Sequence, residues 1–365
     1  MNKDTISAHQ MGVIAGVLLF TLKMSALPSL IYNYNGAGSI ISVIVVITLN
    51  ALFLGLVVWV KQKYKSESLY DILVNKIGIV LTKLLYFIFF LFFFLKILLV
   101  ISDGFTFIKD VADDEFTISN IFICFLPVIV ALAYSGIRNL GRTCEFFLPF
   151  IIISLSLAIA FSVIPVNSWS LGSLTKEGFN GFFNSIFKLS FWTGDLFALI
   201  IFLDKIELKK GKIKEVFIPF GIMAIILVVL FILYYLLYQE TSLFHVNLLN
   251  DVVQYAIGTA KGWHMDIFAI IVYIVNMYLQ GGILLYCTNE CLQKVINYNF
   301  SPITFSAIIM ALIGTEFLYL TDYLKYIAFA ENVLCYFSAI TIVLVPLLLL
   351  ILACTKKGKI NEAGK

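Results

Sequence analysis

Several charged side chains of this sequence lie inside long apolar runs, where lipid or protein would surround them. They include Lys23, Lys96, Lys188 and Asp195. A buried charge is costly unless it is paired, hydrogen-bonded or in contact with a ligand. Ammonium and carboxylate groups at such a depth suit the binding of a small charged molecule, so they are the first candidates for a functional site.

The first of these runs has the residues of an interrupted helix. Lys23 is followed by Ser25, Ala26 and the pair Leu27-Pro28. Proline removes a backbone donor and clashes with the preceding helical turn. We therefore expect the helix to break here and to free backbone groups for a ligand. A simpler interpretation, in which Pro28 only kinks a continuous helix, remains open.

A second run has a matching interruption. Thr193-Gly194-Asp195 places glycine beside a carboxylate at predicted membrane depth, where irregular backbone is tolerated only if it lines a polar cavity or is buried in protein. The N–H groups of a half-helix suit a carboxylate, and freed carbonyls together with Asp195 suit an ammonium group or a cation. The implied ligand is a small zwitterion such as an amino acid. Alternatively, Gly194-Asp195 lies near the interface.

Pairing between these charges is also predicted. We expect Asp195 to compensate at least one buried lysine, with Lys23 favoured over Lys96 because the two broken helices should lie side by side. Lys96 has Asp103 seven residues later on nearly the same face, and it could instead contact the ligand or snorkel. The predicted ligand-binding residues are Lys23, Ser25, Ala26, Leu27, Lys96, Thr193, Gly194, Asp195, Tyr273 and Asn276.

Other acidic residues are given simpler roles. Glu145 lies three residues after Arg142 at a predicted helix start, so we interpret the two as a local pair that stabilises the helix end. Glu290 is expected on a solvated rim near the inner interface. Glu331, in the last apolar run, is a further cavity candidate.

The composition requires lipid as the solvent for most of the chain. The 365 residues are 61% hydrophobic and 13% charged, with a mean hydropathy of +1.00, whereas soluble domains are about 45–50% apolar and about 25% charged. Residues 1–10 are polar and are not expected to be a cleavable signal. Ten runs approach the roughly 20 residues that span a bilayer: 9–31, 38–60, 79–108, 118–134, 143–164, 182–203, 216–238, 263–289, 302–320 and 326–353.

The distribution of positive charge orients these spans. With residues 1–8 in the cytoplasm, 18 Lys and Arg residues fall in inside segments and 4 in outside segments. The positive-inside rule therefore predicts ten spans with both termini cytoplasmic. Residues 66–77 and 252–260 are predicted as short interfacial amphipathic helices.

Ten spans divide into two halves of five. Within a single transmembrane domain, 1–365, the halves are 9–164 and 182–353, and a cytoplasmic tail follows at 354–365. Because five is odd, the second half enters the membrane from the opposite side, which is the plan of an inverted repeat. The predicted fold is an all-α integral membrane protein with a five-plus-five inverted repeat and broken first and sixth helices.

Residue patterns typical of catalysis are missing from the sequence. It contains no GxSxG, HExxH or CxxC motif and no P-loop. Cys287 and Cys291 share a helical face but are interpreted as two small buried residues, and Gly281-Gly282 as a helix-packing contact. We expect no enzymatic activity, no cofactor, no bound metal and no nucleic-acid partner.

Three stretches of the sequence resemble the spore-germination permease family, the B subunits of nutrient-germinant receptors. Residues 136–149 resemble the family's Gly-x-x-x-x-x-Arg-x-x-Glu-x-x-x-Pro stretch. Residues 65–73 resemble its amphipathic segment before the third span, and residues 6–28 resemble its first span. The family belongs to the amino acid–polyamine–organocation (APC) transporter superfamily, so the resemblance implies a LeuT/APC-like fold over nearly the whole chain.

The resemblance also implies a function. The protein would lie in the inner membrane of a bacterial endospore with an A-type subunit and a lipoprotein C-type subunit. It would bind a nutrient germinant, such as an amino acid, and trigger germination. Lys23 departs from the small residue expected there, and Trp192-Thr193-Gly194-Asp195 keeps only the Gly-acid pair of the family's Pro-Phe-Gly-Glu. The ligand's identity therefore does not transfer.

Two other functions stay open at this point. A proton- or sodium-coupled amino-acid transporter would use the same site and would differ only in turnover. A ligand-independent ion or water channel is less compatible with three lysines at membrane depth if the ion is a cation.

Overall fold

The computed structural model describes residues 4–20, 27–64, 67–112, 118–163, 178–192, 194–209, 211–245, 247–259, 266–296 and 328–354. Helices dominate these ranges. They are α1 (Ala8–Phe20), α2 (Leu27–Asn35), α3 (Ser39–Tyr64), α4 (Leu69–Ile77), α5 (Ile79–Ala112), α6 (Ile118–Tyr134), α7 (Ile137–Val163), α8 (Gly178–Lys188), α9 (Ala198–Ile201), α10 (Ile213–Tyr238), α11 (Leu248–Thr259), α12 (Asp266–Ile296) and α13 (Cys335–Cys354).

The helices are those of a multi-pass membrane protein. Among the described residues, six helical stretches are long and apolar enough to cross a membrane: Leu27–Tyr64, Ile79–Gly104, Ile137–Val163, Ile213–Phe244, Ile270–Ile296 and Glu331–Leu352. The shorter apolar helices include α1 and the end of α6. Every predicted span overlaps a described helix except 302–320, which lies outside the described residues.

Small residues let two pairs of helices approach closely. On α1, a Cβ added at Gly12 would collide with the backbone of Val216 on α10, and one at Gly16 would lie 3.0 Å from Met223 Cγ. On α12, a Cβ at Gly282 would lie 2.9 Å from Leu132 of α6. Since lipid gives helices no hydrophobic drive to associate, such close backbone packing is a main source of affinity between them. The packing role predicted for Gly281-Gly282 is confirmed.

Both predicted amphipathic segments contain helices. The first, α4, begins after Ser68, whose hydroxyl accepts a hydrogen bond from the Asp71 N–H at 3.1 Å. This is an N-cap, which satisfies a donor left free at a helix start. Leu69, Ile72 and Leu73 are buried while Asp71 is exposed, so α4 lies on the protein by its apolar face. Residues 252–259 of the second segment belong to α11, and residue 260 lies outside the described residues.

One short element is not helical. Ile6–Ser7 (β1) pairs in parallel with Ile206–Glu207 (β2), and the Thr5 hydroxyl donates to the Glu207 carboxylate at 2.8 Å. The all-helical prediction missed this contact because two residues give no periodicity to detect. The pairing ties the start of α1 to the segment that follows α9.

The orientation of α10 gives a testable prediction. Its 26 residues are about 39 Å long at ~1.5 Å per residue, enough to cross a bilayer. The 18-to-4 distribution of Lys and Arg predicts that Lys209, Lys210 and Lys212 are cytoplasmic. Lys210 lies outside the described residues, and the Lys212 side chain is 50% exposed. An impermeant thiol reagent should label Lys212→Cys only after permeabilisation, whereas Glu240→Cys, exposed beyond the other end of α10, should react in intact cells. Labelling of position 212 without permeabilisation would overturn the predicted topology.

Candidate functional site

The sixth predicted span is interrupted where the sequence indicates. Helix α8 ends at Lys188 and a 3₁₀ turn follows at Leu189–Trp192. Gly194 then takes φ +86° and ψ 0° before a second 3₁₀ turn, Asp195–Phe197, leads into α9. Only glycine adopts this left-handed conformation readily. Gly194 therefore marks the break and places Asp195 at the start of the second half.

Two described helices overlap the first predicted span, and residues 21–26 between them lie outside the described residues. Helix α1 ends at Phe20 and α2 begins at Leu27, which is buried. Pro28 is the second residue of α2, within the first turn, where its missing N–H has no helical acceptor to lose. Its carbonyl accepts a hydrogen bond from the Tyr235 hydroxyl at 2.9 Å. The predicted site residues in this stretch, Lys23, Ser25 and Ala26, lie outside the described residues, as does Thr193.

A buried ion pair lies at the break in the sixth span. The ammonium of Lys96, on α5, is 3.0 Å from the carboxylate of Asp195, and the two side chains are 0% and 1% exposed. Lys96 therefore does not snorkel, and the predicted compensation of Asp195 is confirmed. The partner within the described residues is Lys96, because α5 passes directly beside the break; the favoured partner, Lys23, lies outside the described residues. Loss of one member of such a pair typically costs about 3–5 kcal/mol.

A second polar contact joins α5 to α12. The Tyr273 hydroxyl donates to the Asp103 carboxylate at 3.0 Å, and both side chains are buried. The Tyr273 ring stacks on Phe107 with centroids 3.9 Å apart. Asn276 is fully buried, and its amide donates to the Val272 carbonyl of its own helix at 3.1 Å. Asp103 follows Lys96 by about 10 Å along α5, so both polar contacts belong to one buried region.

Lys188, another lysine within an apolar run, has a different environment from Lys96. The Lys188 ammonium donates to the backbone carbonyl of Glu331 at 2.6 Å and to the Asn332 side chain at 3.3 Å. These residues form the π-helical turn, Ala330–Leu334, that begins the last span. Lys188 thus fastens the end of α8 to the last span and lies apart from the Lys96–Asp195 pair.

The predicted pairing of Glu145 with Arg142 is replaced by contacts to another helix. The Glu145 carboxylate lies 3.0 Å from His9 Nδ1 and accepts a hydrogen bond from the Gln10 side chain at 3.0 Å. Both partners are in the first turn of α1. A pattern within one helix could not reveal them, because they are about 135 residues away in sequence. Glu145 therefore links α7 to α1.

Removal of the Glu145 carboxylate should loosen this link. For Glu145→Ala we expect a loss of about 1–2 kcal/mol of unfolding free energy, since two partly exposed hydrogen bonds are removed. The midpoint of thermal unfolding of the purified protein measures it. Arg142→Ala is the control and should have a smaller effect. An equal loss in the two variants would favour the local pair.

A further cluster lies at the cytoplasmic end predicted for α12. The Lys205 ammonium is 2.8 Å from the Glu290 carboxylate and also contacts the Tyr286 hydroxyl. Glu290 is 26% exposed, so it is half-buried and paired where the sequence predicts a solvated rim. Beside the pair is a cavity of about 190 Å³, where burial raises the pKa of the Asp204 carboxyl. The cluster fastens the segment after α9 to α12.

The fold and the buried charges define a class of protein. Apolar spanning helices, a helix broken at glycine and an ion pair at that break are typical of multi-pass membrane proteins that bind small solutes. The sequence matches the model of the spore germination protein family over residues 5–323. This match covers most of the chain, so the protein belongs to that family and is a germination-related multi-pass membrane protein of the permease type. No curated protein sequence matches it significantly.

Proposed function

We propose that this protein is the membrane subunit of a germinant receptor and that it binds a small zwitterionic nutrient, an amino acid, at the break in the sixth span. The observation that carries the proposal is the fully buried Lys96–Asp195 pair beside left-handed Gly194. An ammonium and a carboxylate held together are complementary to the two charged groups of an amino acid. The proposed site comprises Lys23, Ser25, Ala26, Leu27, Lys96, Thr193, Gly194, Asp195, Tyr273 and Asn276.

The proposed fold is the ten-span LeuT/APC-like inverted repeat. Two observations support it. The sixth span, which is a broken helix in such a repeat, is interrupted at Gly194. The third and eighth spans, which also correspond, are α5 and α12, and they pack against each other through Asp103 and Tyr273.

In the proposed mechanism, the ligand competes with the internal pair. The ligand carboxylate contacts Lys96 and its ammonium contacts Asp195, so each charge exchanges one partner for another without exposure to lipid. The ligand then favours a conformation in which α5 and the sixth span are separated. A ligand shifts a conformational equilibrium only by its difference in affinity for the two states. Partners of the A type and the lipoprotein C type would detect this shift in the spore inner membrane.

Spore germination tests the proposal. Spores that lack this gene should lose their response to at least one member of a panel of L-amino acids, and the wild-type gene should restore it. Normal responses to the whole panel would contradict a receptor function for amino acids.

Transport measurements separate the receptor from a proton- or sodium-coupled amino-acid transporter. Proteoliposomes that contain the full chain should bind the active amino acid without accumulating it, with or without a proton or sodium gradient. Gradient-dependent accumulation would favour the transporter.

A further inference from the structure

Gln280 of α12 is a buried side chain whose polar atoms make no hydrogen bond to the described residues. It is 0% exposed. Neither its Oε1 nor its Nε2 has a hydrogen-bond partner in the described part of the chain. A buried polar group without a partner is unfavourable and needs an explanation. An amide without a partner among the described residues is suited to bonding a ligand.

Two contacts between α5 and α12 show which part of α5 lies opposite Gln280. Tyr86 of α5 and Glu290 of α12 line the same small cavity at one end. Tyr273 of α12 donates to Asp103 of α5 further along. Between these two contacts the residue number rises by 17 on α5, from Tyr86 to Asp103, and falls by 17 on α12, from Glu290 to Tyr273. The two helices therefore run in opposite directions.

The same register places Gln280 opposite Lys96. Lys96 comes seven residues before Asp103, and Gln280 comes seven residues after Tyr273. Seven residues are almost two helical turns. Lys96 therefore projects from nearly the same face of α5 as Asp103, and Gln280 projects from nearly the same face of α12 as Tyr273. Gln280 therefore lies on the face of α12 that packs against α5, at the level of the Lys96–Asp195 pair.

We propose that Gln280 is a specificity-determining residue that hydrogen-bonds the charged head group of a zwitterionic amino acid. Its Nε2 donates to the ligand carboxylate and its Oε1 accepts from the ligand ammonium, which also contact Lys96 and Asp195. This inference rests on the proposed function and names its recognition element. A ligand that keeps only the amine or only the carboxylate leaves one of the two amide atoms without a partner.

The variant Gln280→Met gives a sharp test, because methionine has nearly the same shape and no strong polar group. Removal of an unpartnered buried amide should leave the thermal midpoint of the full-length purified protein unchanged or raise it. The amino-acid concentration for half-maximal germination should rise about 10- to 100-fold, as expected when a hydrogen bond to a charged group is lost. The matched control is Thr288→Val on the same helix, whose hydroxyl is buried but already bonded to the Leu284 carbonyl at 2.8 Å; it should leave this concentration unchanged.

The probes are a panel of L-amino acids with their decarboxylated amines and deaminated acids. The wild type should be stabilised against heat by an active amino acid and not by the matching amine or acid, and Gln280→Met should lose that stabilisation. An unchanged ligand response in Gln280→Met would overturn the role of Gln280 while the proposed function stands. Two results would show a structural role for Gln280 instead. One is a lowered thermal midpoint of Gln280→Met in the absence of ligand. The other is failure of Gln280→Met to accumulate while Gln280→Asn accumulates and responds normally. No stabilisation of the wild type by any amino acid, together with no germination response, would overturn both proposals.

Discussion

Replacement of Lys96 by methionine is expected to reduce accumulation of the protein strongly. The change leaves the Asp195 carboxylate buried at 1% exposure without the ammonium 3.0 Å away. Loss of one member of a buried pair typically costs about 3–5 kcal/mol, against a total stability of about 5–15 kcal/mol for a typical domain. Asp195→Asn should have a similar effect, since it leaves the Lys96 charge uncompensated. The amount of protein in the membrane fraction measures both.

The double variant Lys96→Met/Asp195→Asn separates stability from function. It should recover much of the lost protein, because no unpaired charge remains, and the coupling energy should be well above zero. The response to amino acids should stay absent, because both charged ligand contacts are gone. Lys83→Met, a half-buried lysine near the start of the same helix, is the control and should change neither quantity. Strictly additive losses in the Lys96–Asp195 cycle would show that the two charges do not stabilise each other.

A bulky residue at Gly194 is expected to abolish the germinant response. At φ +86°, a side chain strains the backbone by roughly 1–2 kcal/mol. In addition, an added Cβ would lie 3.3 Å from both Phe92 and Ile342 and 3.4 Å from Phe197. Gly194→Leu should therefore displace the adjacent Asp195 and disturb its pairing with Lys96. Germination of spores that carry the variant, normalised to the amount of protein, measures the loss.

The control for this variant is another glycine within a spanning helix. Gly221 lies in α10, and no atom lies within 4 Å of a Cβ added there. Gly221→Leu should preserve both accumulation and response. If Gly194→Leu spores respond normally at normal protein levels, the ligand site is not at this break.

Contacts between distant segments connect the break in the sixth span to α1, α7 and α12. The segment after α9 is held at two points, by the pairing of Ile206–Glu207 with Ile6–Ser7 and by the Lys205–Glu290 ion pair. Helix α1 is in turn held to α7 by Glu145. In the proposed mechanism, movement of Asp195 relative to Lys96 would therefore act on a connected set of elements.

The sequence alone determined the membrane class and most of the spans. Apolar runs of about 20 residues have few other stable states, because lipid requires backbone groups to be satisfied within a helix. It also located the break at Gly194-Asp195, since glycine beside a carboxylate is costly in a continuous lipid-facing helix. Both are local properties of a segment and its solvent. The family match over residues 5–323 agrees with the resemblance found in three short stretches.

The tertiary structure decided which charges meet. The packed structure brings Lys96 of α5 to Asp195, whereas the favoured partner, Lys23, lies outside the described residues. Glu145 contacts α1 instead of Arg142. The structure also showed that Gln280, which no motif singles out, is fully buried and has no hydrogen-bond partner in the part of the chain that the structure describes. Periodicity gives the face of each helix but not the neighbour that this face meets, because helix packing depends on side-chain shapes along both partners. The spans therefore followed from hydropathy, whereas the arrangement of charges between them required the packed structure.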